Sequence, residues 1–294
     1  MRKIFFSILV ALAPLSAAVA AQTFEVRSEL EEVRLSFAKE FRLKSQATER
    51  NYRIQIAVVG DEPEDGYPVL FVLDGDAYFS GVASMANAMA RSRAQVDNLS
   101  LLIVGVGYSA DEPIDVEQRS LDYTPPLRSN ASAEERAKFG QADRFYHFLQ
   151  SELISYLTEQ YRIDSKHLAL FGHSFGALYG LYDLLQEDSL FNYFILSSPS
   201  IWWHNKRIQD FASDRQLASI KHVRITVGEL EGVVASDDAR RASRNMMGNA
   251  ELLFQQLKDG GDAVEFMVYP GESHGSVAYK SVLDSLKFLQ TKLP

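Results

Sequence analysis

Short uninterrupted apolar runs alternate with helical patterns from Tyr67 to the end of the chain, and this alternation narrows the choice of folds more than any other feature. The runs lie at residues 69–73, 101–106, 168–171, 193–196, 223–227 and 264–268. A strand with one face in water alternates apolar and polar residues, so these runs indicate strands that are buried on both faces. Their alternation with helices predicts an α/β fold with a mostly parallel sheet and helices on both faces. The strands at 168–171 and 223–227 are expected to be central.

Helices are predicted between these runs, at residues 145–157, 177–185, 241–257 and 277–289. In the first of them, apolar residues recur at spacings of three and four, which gives the helix one apolar face. Before the runs, residues 37–43 and 52–59 alternate apolar and polar side chains around a polar turn. This pattern predicts an antiparallel hairpin at the N-terminal end of the sheet. Residues 108–141 are polar, contain three prolines and are predicted to form a long irregular loop.

Residues 1–20 have the pattern of a secretory signal peptide. Arg2 and Lys3 precede an apolar run, and a small-x-small sequence ends at Ala20. We expect cleavage after Ala20, which leaves residues 21–294 as a single domain exported to the periplasm. The apolar run is short for a bilayer span, and no later segment is apolar for about 20 residues, so no stable membrane insertion is expected after cleavage.

Charge and composition exclude several classes of protein. Removal of residues 1–20 takes away two basic residues and no acid, so the mature chain has 28 basic and 39 acidic residues and a net charge of −11. A chain this acidic repels phosphate backbones, and nucleic acid is not expected as a partner. Cysteine is absent, which removes disulfides, thiolate metal sites and cysteine nucleophiles. No metal and no organic cofactor is predicted.

The sequence Gly-His-Ser-Phe-Gly at residues 172–176 fits the G-x-S-x-G motif and lies between a predicted strand and a predicted helix. In that context the motif forms a sharp turn that exposes the serine at the edge of the sheet. Ser174 is therefore predicted to be a nucleophile, with glycines on both sides because a Cβ there would clash. The amide of Phe175 starts the helix and is the predicted donor to a developing oxyanion. His173, next to the serine, is expected to pack and not to act as the base.

A serine hydroxyl needs a base to take its proton, and the usual chain order on this type of sheet is serine, acid, histidine. His274 follows the last predicted strand in a glycine-flanked loop, at the edge of the sheet where catalytic groups gather. His222 lies at the opposite end of a strand and is not expected to be the base. The acid is expected after the strand at 223–227. Glu231 is the preferred candidate, and Glu229, Asp237 and Asp238 remain open.

A second oxyanion donor is expected in the loop after the strand at 69–73. That loop is Asp74-Gly75-Asp76, in which Gly75 allows close approach and the amide of Asp76 is the candidate donor. An ordinary Asp-Gly turn is the alternative interpretation of the same residues.

These residues carry a resemblance to the putative-esterase family of α/β-hydrolases, and most of all to its enterobactin-type siderophore esterases. The matching segments are residues 67–76, 119–125, 172–176, 197–203, 228–231 and 273–275. The resemblance implies a serine esterase with Ser174 and His274 as the working pair and an oxyanion donor after Asp74-Gly75. It implies a small-molecule ester or lactone as substrate, and it does not decide the acid.

A ferric catecholate siderophore is strongly anionic, so its binding would need arginines near the site. Arg119, in the long loop, and Tyr78, as part of an aromatic wall, are the predicted substrate contacts. The alternatives are pairing of arginines such as Arg119 with nearby acids and packing of Tyr78 in the core. The acidic net charge favours instead a general periplasmic carboxylesterase or acyltransferase. A non-catalytic α/β-hydrolase-like binding protein is a third hypothesis, against which the intact serine, histidine and acid loop argue.

Overall fold

The computed structural model describes residues 33–92, 99–108, 112–211, 220–232 and 239–293. The chain divides into two compact units, Met1–Arg34 and Leu35–Pro294, and the sheet and helices described below belong to the second. The predicted signal peptide and two of the acid candidates, Asp237 and Asp238, lie outside the described residues. Within the described ranges, no helix is both long and apolar enough to cross a membrane.

Eight strands form one sheet in the order β1-β2-β4-β3-β5-β6-β7-β8. The strands are β1 (Ala38–Lys44), β2 (Asn51–Val59), β3 (Tyr67–Leu73), β4 (Leu101–Gly107), β5 (Ile163–His173), β6 (Tyr193–Ser197), β7 (His222–Gly228) and β8 (Ala263–Tyr269). β1 and β2 form an antiparallel hairpin, β2 is antiparallel to β4, and the other neighbouring pairs are parallel. All six predicted apolar runs lie in strands, so the mostly parallel sheet and its N-terminal hairpin are confirmed.

Helices cover both faces of the sheet. They are α1 (Gly75–Ala90), α2 (Val116–Asp122), α3 (Ala133–Lys138), α4 (Ala142–His147), α5 (Ser155–Gln160), α6 (Phe175–Leu184), the single turn α7 (Trp203–Lys206), α8 (Ala239–Arg244), α9 (Met246–Asp259) and α10 (His274–Lys292). A π-helical segment, Phe148–Ile154, joins α4 to α5. α1 and α10 pack on one face of the sheet, and α6, α9 and the stretch from α4 to α5 pack on the other.

Alternate side chains of β3 enter two separate cores, as expected for a strand buried on both faces. Phe71 and Leu73 belong to the core that includes α6, and Leu70 and Val72 belong to the core that includes α1 and α10. All four side chains are fully buried. The carboxyl end of β3 is therefore held firmly from both sides.

The central position predicted for the strand at 223–227 is wrong. β7 has only β8 beyond it, whereas β5 lies in the middle of the sheet. Most residues of β8 are partly exposed, as expected at an edge. The apolar composition of β8 is nevertheless similar to that of the inner strands, so composition alone does not show which run lies at the edge.

Several helices also differ from the prediction. α1 is not among the predicted helices, because Asp74-Gly75-Asp76 is interpreted as an oxyanion loop or, alternatively, as an ordinary Asp-Gly turn. The turn is present, with Asp74 in the left-handed region at φ 52°, but the helix begins at once after it. The stretch 108–141 contains α2 and α3 and is not irregular throughout. The helix predicted at 241–257 is interrupted at Asn245, which has φ 42°.

Candidate active site

Ser174 lies at the carboxyl end of β5, on the sharp turn into α6. Its backbone has φ 57° and ψ −110°, a strained conformation for a residue with a side chain. A Cβ at Gly172 would lie 2.3 Å from the backbone of Gly176, so glycine is required at 172. The clash predicted at Gly176 itself is wrong, because its nearest neighbours would be side-chain atoms of Leu73 and Asp74 at ordinary contact distances of 3.6–3.7 Å.

His274 lies against the serine. Its Nε2 is 3.1 Å from Ser174 Oγ, and its Nδ1 is 2.7 Å from Glu231 Oε2. His274 is the first residue of α10. The prediction that it lies in a loop is therefore wrong. The helix begins three residues before the predicted 277 because Ser273 and Ser276 form a capping box. The first turn of a helix holds the backbone of His274 more firmly than a loop would.

Glu231 is the acid that contacts His274. Its side chain is 3% exposed, and its Oε1 accepts hydrogen bonds from Ser198 Oγ at 2.6 Å and from the Gly228 amide at 2.8 Å. Burial raises the pKa of Glu231, but the hydrogen bonds from His274, Ser198 and Gly228 and the charge of His274 outweigh burial and hold it below its usual value. The carboxyl group is therefore ionised, and it accepts a hydrogen bond from the Nδ1–H of His274.

Glu229, the second acid candidate, has a different partner. Its Oε2 accepts the Gly271 amide at 2.8 Å, in the exposed loop before His274. Glu229 and Glu231 lie on one 3₁₀ turn, Glu229–Glu231, that follows β7 directly. The turn directs Glu231 to the imidazole and Glu229 to the neighbouring loop.

The Asp74-Gly75-Asp76 loop lies beside the serine turn, because Gly176 faces Leu73 and Asp74. The amides of Ala77 and Tyr78 donate to the Asp74 carbonyl. The Asp76 amide is in the first turn of α1, where amides have no partner within the helix. The Asp76 carboxylate points elsewhere and pairs with Arg53 at 2.7 Å. The starts of α1 and α6, and with them the amides of Asp76 and Phe175, are thus neighbours of the serine turn.

The structure does not place Arg119 as a substrate contact. Its Nε and Nη2 donate to the two carboxylate oxygens of Asp74, both at 2.9 Å, and Nη2 also donates to the His173 carbonyl at 3.2 Å. The Arg119 side chain is 10% exposed and that of Asp74 is 1% exposed. The guanidinium therefore ties α2 to the serine turn, and its charge is already compensated. The alternative interpretation, pairing with an acid, describes its position.

Tyr78 is also not in the predicted position. It is buried, and its ring packs edge-on against Phe171, His173 and Tyr279. Its place in α1, which is not among the predicted helices, turns the side chain into the core. His173 packs as expected: it is buried, its Nδ1 lies 3.2 Å from Ser197 Oγ, and its ring lies 4.7 Å from the ring of His274.

Two serines after β6 belong to the site and are not among the predicted residues. Ser198 donates to Glu231, and Ser200 Oγ lies 3.1 Å from Ser174 Oγ. Both are buried. The only sequence signal was the segment 197–203, which counts toward the family resemblance but has no motif that assigns a role to each serine.

A cavity of about 490 Å³ opens beside His274 and Glu231. Its wall includes Arg244, whose guanidinium lies 4.6 Å from the centre of the Trp202 ring. The Trp202 ring is in turn 6.4 Å from that of Phe175, the residue after the nucleophile. A second cavity of about 430 Å³, between α6 and α9, is mostly apolar and includes none of the residues above. Among the described residues, no group of three or more histidines and carboxylates is arranged to hold a metal ion.

Comparisons with known proteins agree with this geometry. The family model described as putative esterase matches residues 45–284. The ferri-bacillibactin esterase BesA of Bacillus subtilis is 30% identical over 264 residues, which cover 85% of this chain and 88% of BesA. The siderophore enterobactin esterase of Emericella nidulans is 28% identical, over 78% of this chain and 84% of the relative. The crystal structure of the BES protein from Bacillus cereus superimposes with a TM-score of 0.77 at 29% identity, over 90% of this chain and 99% of that one.

Proposed function

Since the chain belongs to the putative esterase family of α/β-hydrolases and is a serine carboxylic-ester hydrolase, we propose that it cleaves the ester or lactone bonds of a siderophore through an acyl-enzyme at Ser174. The observation that carries this proposal is the unbroken hydrogen-bonded series from Ser174 through His274 to Glu231. Relatives named as siderophore esterases support the substrate class.

In the proposed mechanism, Ser174 Oγ attacks the ester carbonyl and its proton passes to His274 Nε2. Glu231 holds the Nδ1 proton in place and stabilises the imidazolium that forms. The amides of Phe175 and Asp76 donate to the carbonyl oxygen as it gains negative charge. The alcohol leaves with the proton from His274, and water then releases the acid from Ser174 by the same steps. No other group of the protein has to gain or lose a proton.

Glu231→Gln is expected to lower kcat by about 10²-fold or more, though less than removal of Ser174 or His274, because a glutamine amide favours the wrong imidazole tautomer. Glu229→Gln is the matched control, since it removes the charge of the neighbouring acid on the same turn. We expect a change of less than about threefold for the control, as for an exposed hydrogen bond to a loop amide. Steady-state kinetics on one activated ester compare the two variants, and a larger loss for Glu229→Gln would show that the acid is wrongly assigned.

A ferric tri-catecholate trilactone is the substrate that tests the proposed class. We expect its kcat/KM to exceed that of a simple acetyl ester by about tenfold or more, and product masses to show one water added per lactone bond cleaved. Arg244 lies in the wall of the cavity beside His274, where its guanidinium would donate charge-assisted hydrogen bonds to an anionic substrate. Arg244→Gln should therefore lower kcat/KM about tenfold for this substrate and leave kcat/KM for a neutral ester unchanged. Arg91→Gln, on an exposed arginine that bonds Asn87 at the end of α1, is the control.

Equal activity on both substrates, with no selective effect of Arg244→Gln, would leave a general carboxylesterase. Products in which an added alcohol carries the acyl group would indicate an acyltransferase, since the acyl-enzyme is common to both reactions. Absence of fluorophosphonate labelling at Ser174 would favour a binding protein. We also propose that the enzyme works in the periplasm, on the basis of the signal sequence at residues 1–20.

A further inference from the structure

The hydroxyl of Ser200 lies against the nucleophile, and the mechanism above gives it no part. Its Oγ is 3.1 Å from Ser174 Oγ, and its amide donates to the Ser174 carbonyl at 3.2 Å. Ser200 is 1% exposed, so bulk water does not compete for the contact. Ser198, in the left-handed region at φ 45°, turns the chain after β6, and the Trp203 amide donates to the Ser200 carbonyl at 3.0 Å. Backbone and side chain both hold Ser200 on the serine turn.

The protons of the site decide the direction of this hydrogen bond. Ionised Glu231 can only accept, so His274 Nδ1 carries the ring proton and Nε2 is an acceptor. Ser174 has one hydroxyl proton, and donating it to Nε2 leaves the Ser174 oxygen to accept from a second group. Ser200 is therefore the donor, and Ser174 Oγ is the acceptor.

We infer that Ser200 is a further catalytic residue, whose hydroxyl assists the departure of Ser174 from the acyl-enzyme. The inference rests on the acyl-enzyme of the proposed function. In deacylation, water adds to the acyl carbonyl and gives one proton to His274. The bond between the carbonyl carbon and Oγ then breaks, its electron pair stays on Oγ, and His274 returns the proton to Oγ. The carboxylic acid leaves, and Ser200 donates to Oγ while that oxygen carries the most charge.

The hydrogen bond from Ser200 matters more in deacylation than in acylation because the negative charge on Ser174 Oγ changes more in deacylation. In the acyl-enzyme, Ser174 Oγ is an ester oxygen and a weak acceptor. It gains negative charge as its bond to carbon breaks, and hydrogen bonds to charged oxygens are about twice as strong as those to neutral ones. In acylation the same oxygen starts as a hydroxyl that already accepts from Ser200, so less is gained at the transition state. Ser200 therefore lowers the deacylation barrier selectively.

Ser200→Ala should accordingly accumulate the acyl-enzyme. With p-nitrophenyl acetate, the first release of nitrophenol measures acylation, and the later steady rate measures deacylation. We expect kcat to fall about tenfold, as for loss of one hydrogen bond to a charged oxygen. KM should fall with it, so that kcat/KM changes by less than about threefold. A burst that approaches one equivalent per enzyme, and an acetylated protein mass after quenching, would accompany this split.

Two control variants separate this role from loss of a buried hydroxyl in general. Ser200→Thr keeps the hydroxyl and should restore the steady rate. Ser285→Ala removes a buried hydroxyl that bonds the Val282 carbonyl within α10, and should keep the burst amplitude and the steady rate of the wild type. Thermal melts verify that all variants fold, and an unchanged kcat/KM shows that the serine turn is intact.

Equal losses of kcat and kcat/KM in Ser200→Ala, with no accumulation, would overturn the role of Ser200. A rise in kcat/KM would overturn it as well, since Ser174 would then donate to Ser200 and away from its base. If wild-type enzyme is acetylated at Ser174 and Ser200→Ala does not accumulate the intermediate, only this inference fails. If wild-type enzyme turns over without any acetylation at Ser174, the proposed acyl-enzyme fails.

Discussion

Ser174→Ala is expected to lower kcat/KM for ester hydrolysis on the order of 10³-fold or more. The variant removes the oxygen that would carry the acyl group and keeps the turn that places it. His274→Ala is expected to have an effect of similar size, because Ser174 loses the base that lies 3.1 Å from its Oγ. The double variant should be no worse than either single variant, since residues that act as one unit do not contribute additively.

The measurement is steady-state hydrolysis of one activated ester, with fluorophosphonate labelling as an independent readout. Labelling should be lost in Ser174→Ala and strongly slowed in His274→Ala. Circular dichroism and thermal melts show whether the sheet is intact in both. Activity within about tenfold of the wild type in either folded variant would mean that another group performs the chemistry.

Arg119→Met is expected to lower the free energy of unfolding by about 3–5 kcal/mol, as for breaking a buried ion pair by removing one partner. Asp74, with a side chain 1% exposed, would keep its charge and lose both hydrogen bonds from the guanidinium. The His173 carbonyl, next to the nucleophile, would lose a donor as well. Activity should therefore fall more than the global loss of stability explains, because the serine turn is loosened directly.

Urea denaturation of wild type and variants measures this effect. Adding Asp74→Asn to Arg119→Met removes the stranded charge and should recover part of the lost stability. Lys138→Met is the control, since its ion pair with Glu134 is exposed and screened by solvent, and its loss should change stability little. If Arg119→Met were no more destabilising than Lys138→Met, the buried pair would not be holding the turn.

Local pattern was sufficient to find Ser174 and His274 as neighbours, because each follows a strand of a parallel sheet at the same edge. The strand, the turn and the helix around Ser174 are all encoded within about 20 consecutive residues, a range over which periodicity is informative. The acid was harder. Glu229 and Glu231 are two residues apart, and only the 3₁₀ turn after β7 decides which carboxylate points toward His274.

Long-range pairing explains what the sequence did not reveal. Arg119 was expected to face substrate, but its partner Asp74 lies 45 residues earlier in the chain. Ser200 contacts a residue 26 positions away through a turn that no motif describes. Tyr78 was assigned to an open wall because α1 was not predicted. In each case the missing information is which distant residue the folded chain places next to the side chain.

His274 lies 100 residues after Ser174, at the first position of the last helix. A chain that folds from its N-terminal end can pair β5 with β3 and form the serine turn before β7, β8 and α10 are in place. The acid and the base are added only with the last two strands of the chain and the final helix, and these contacts span long loops that close slowly. Hydrolysis is therefore a late marker of maturation: a refolding chain should regain its sheet signal first and its turnover last.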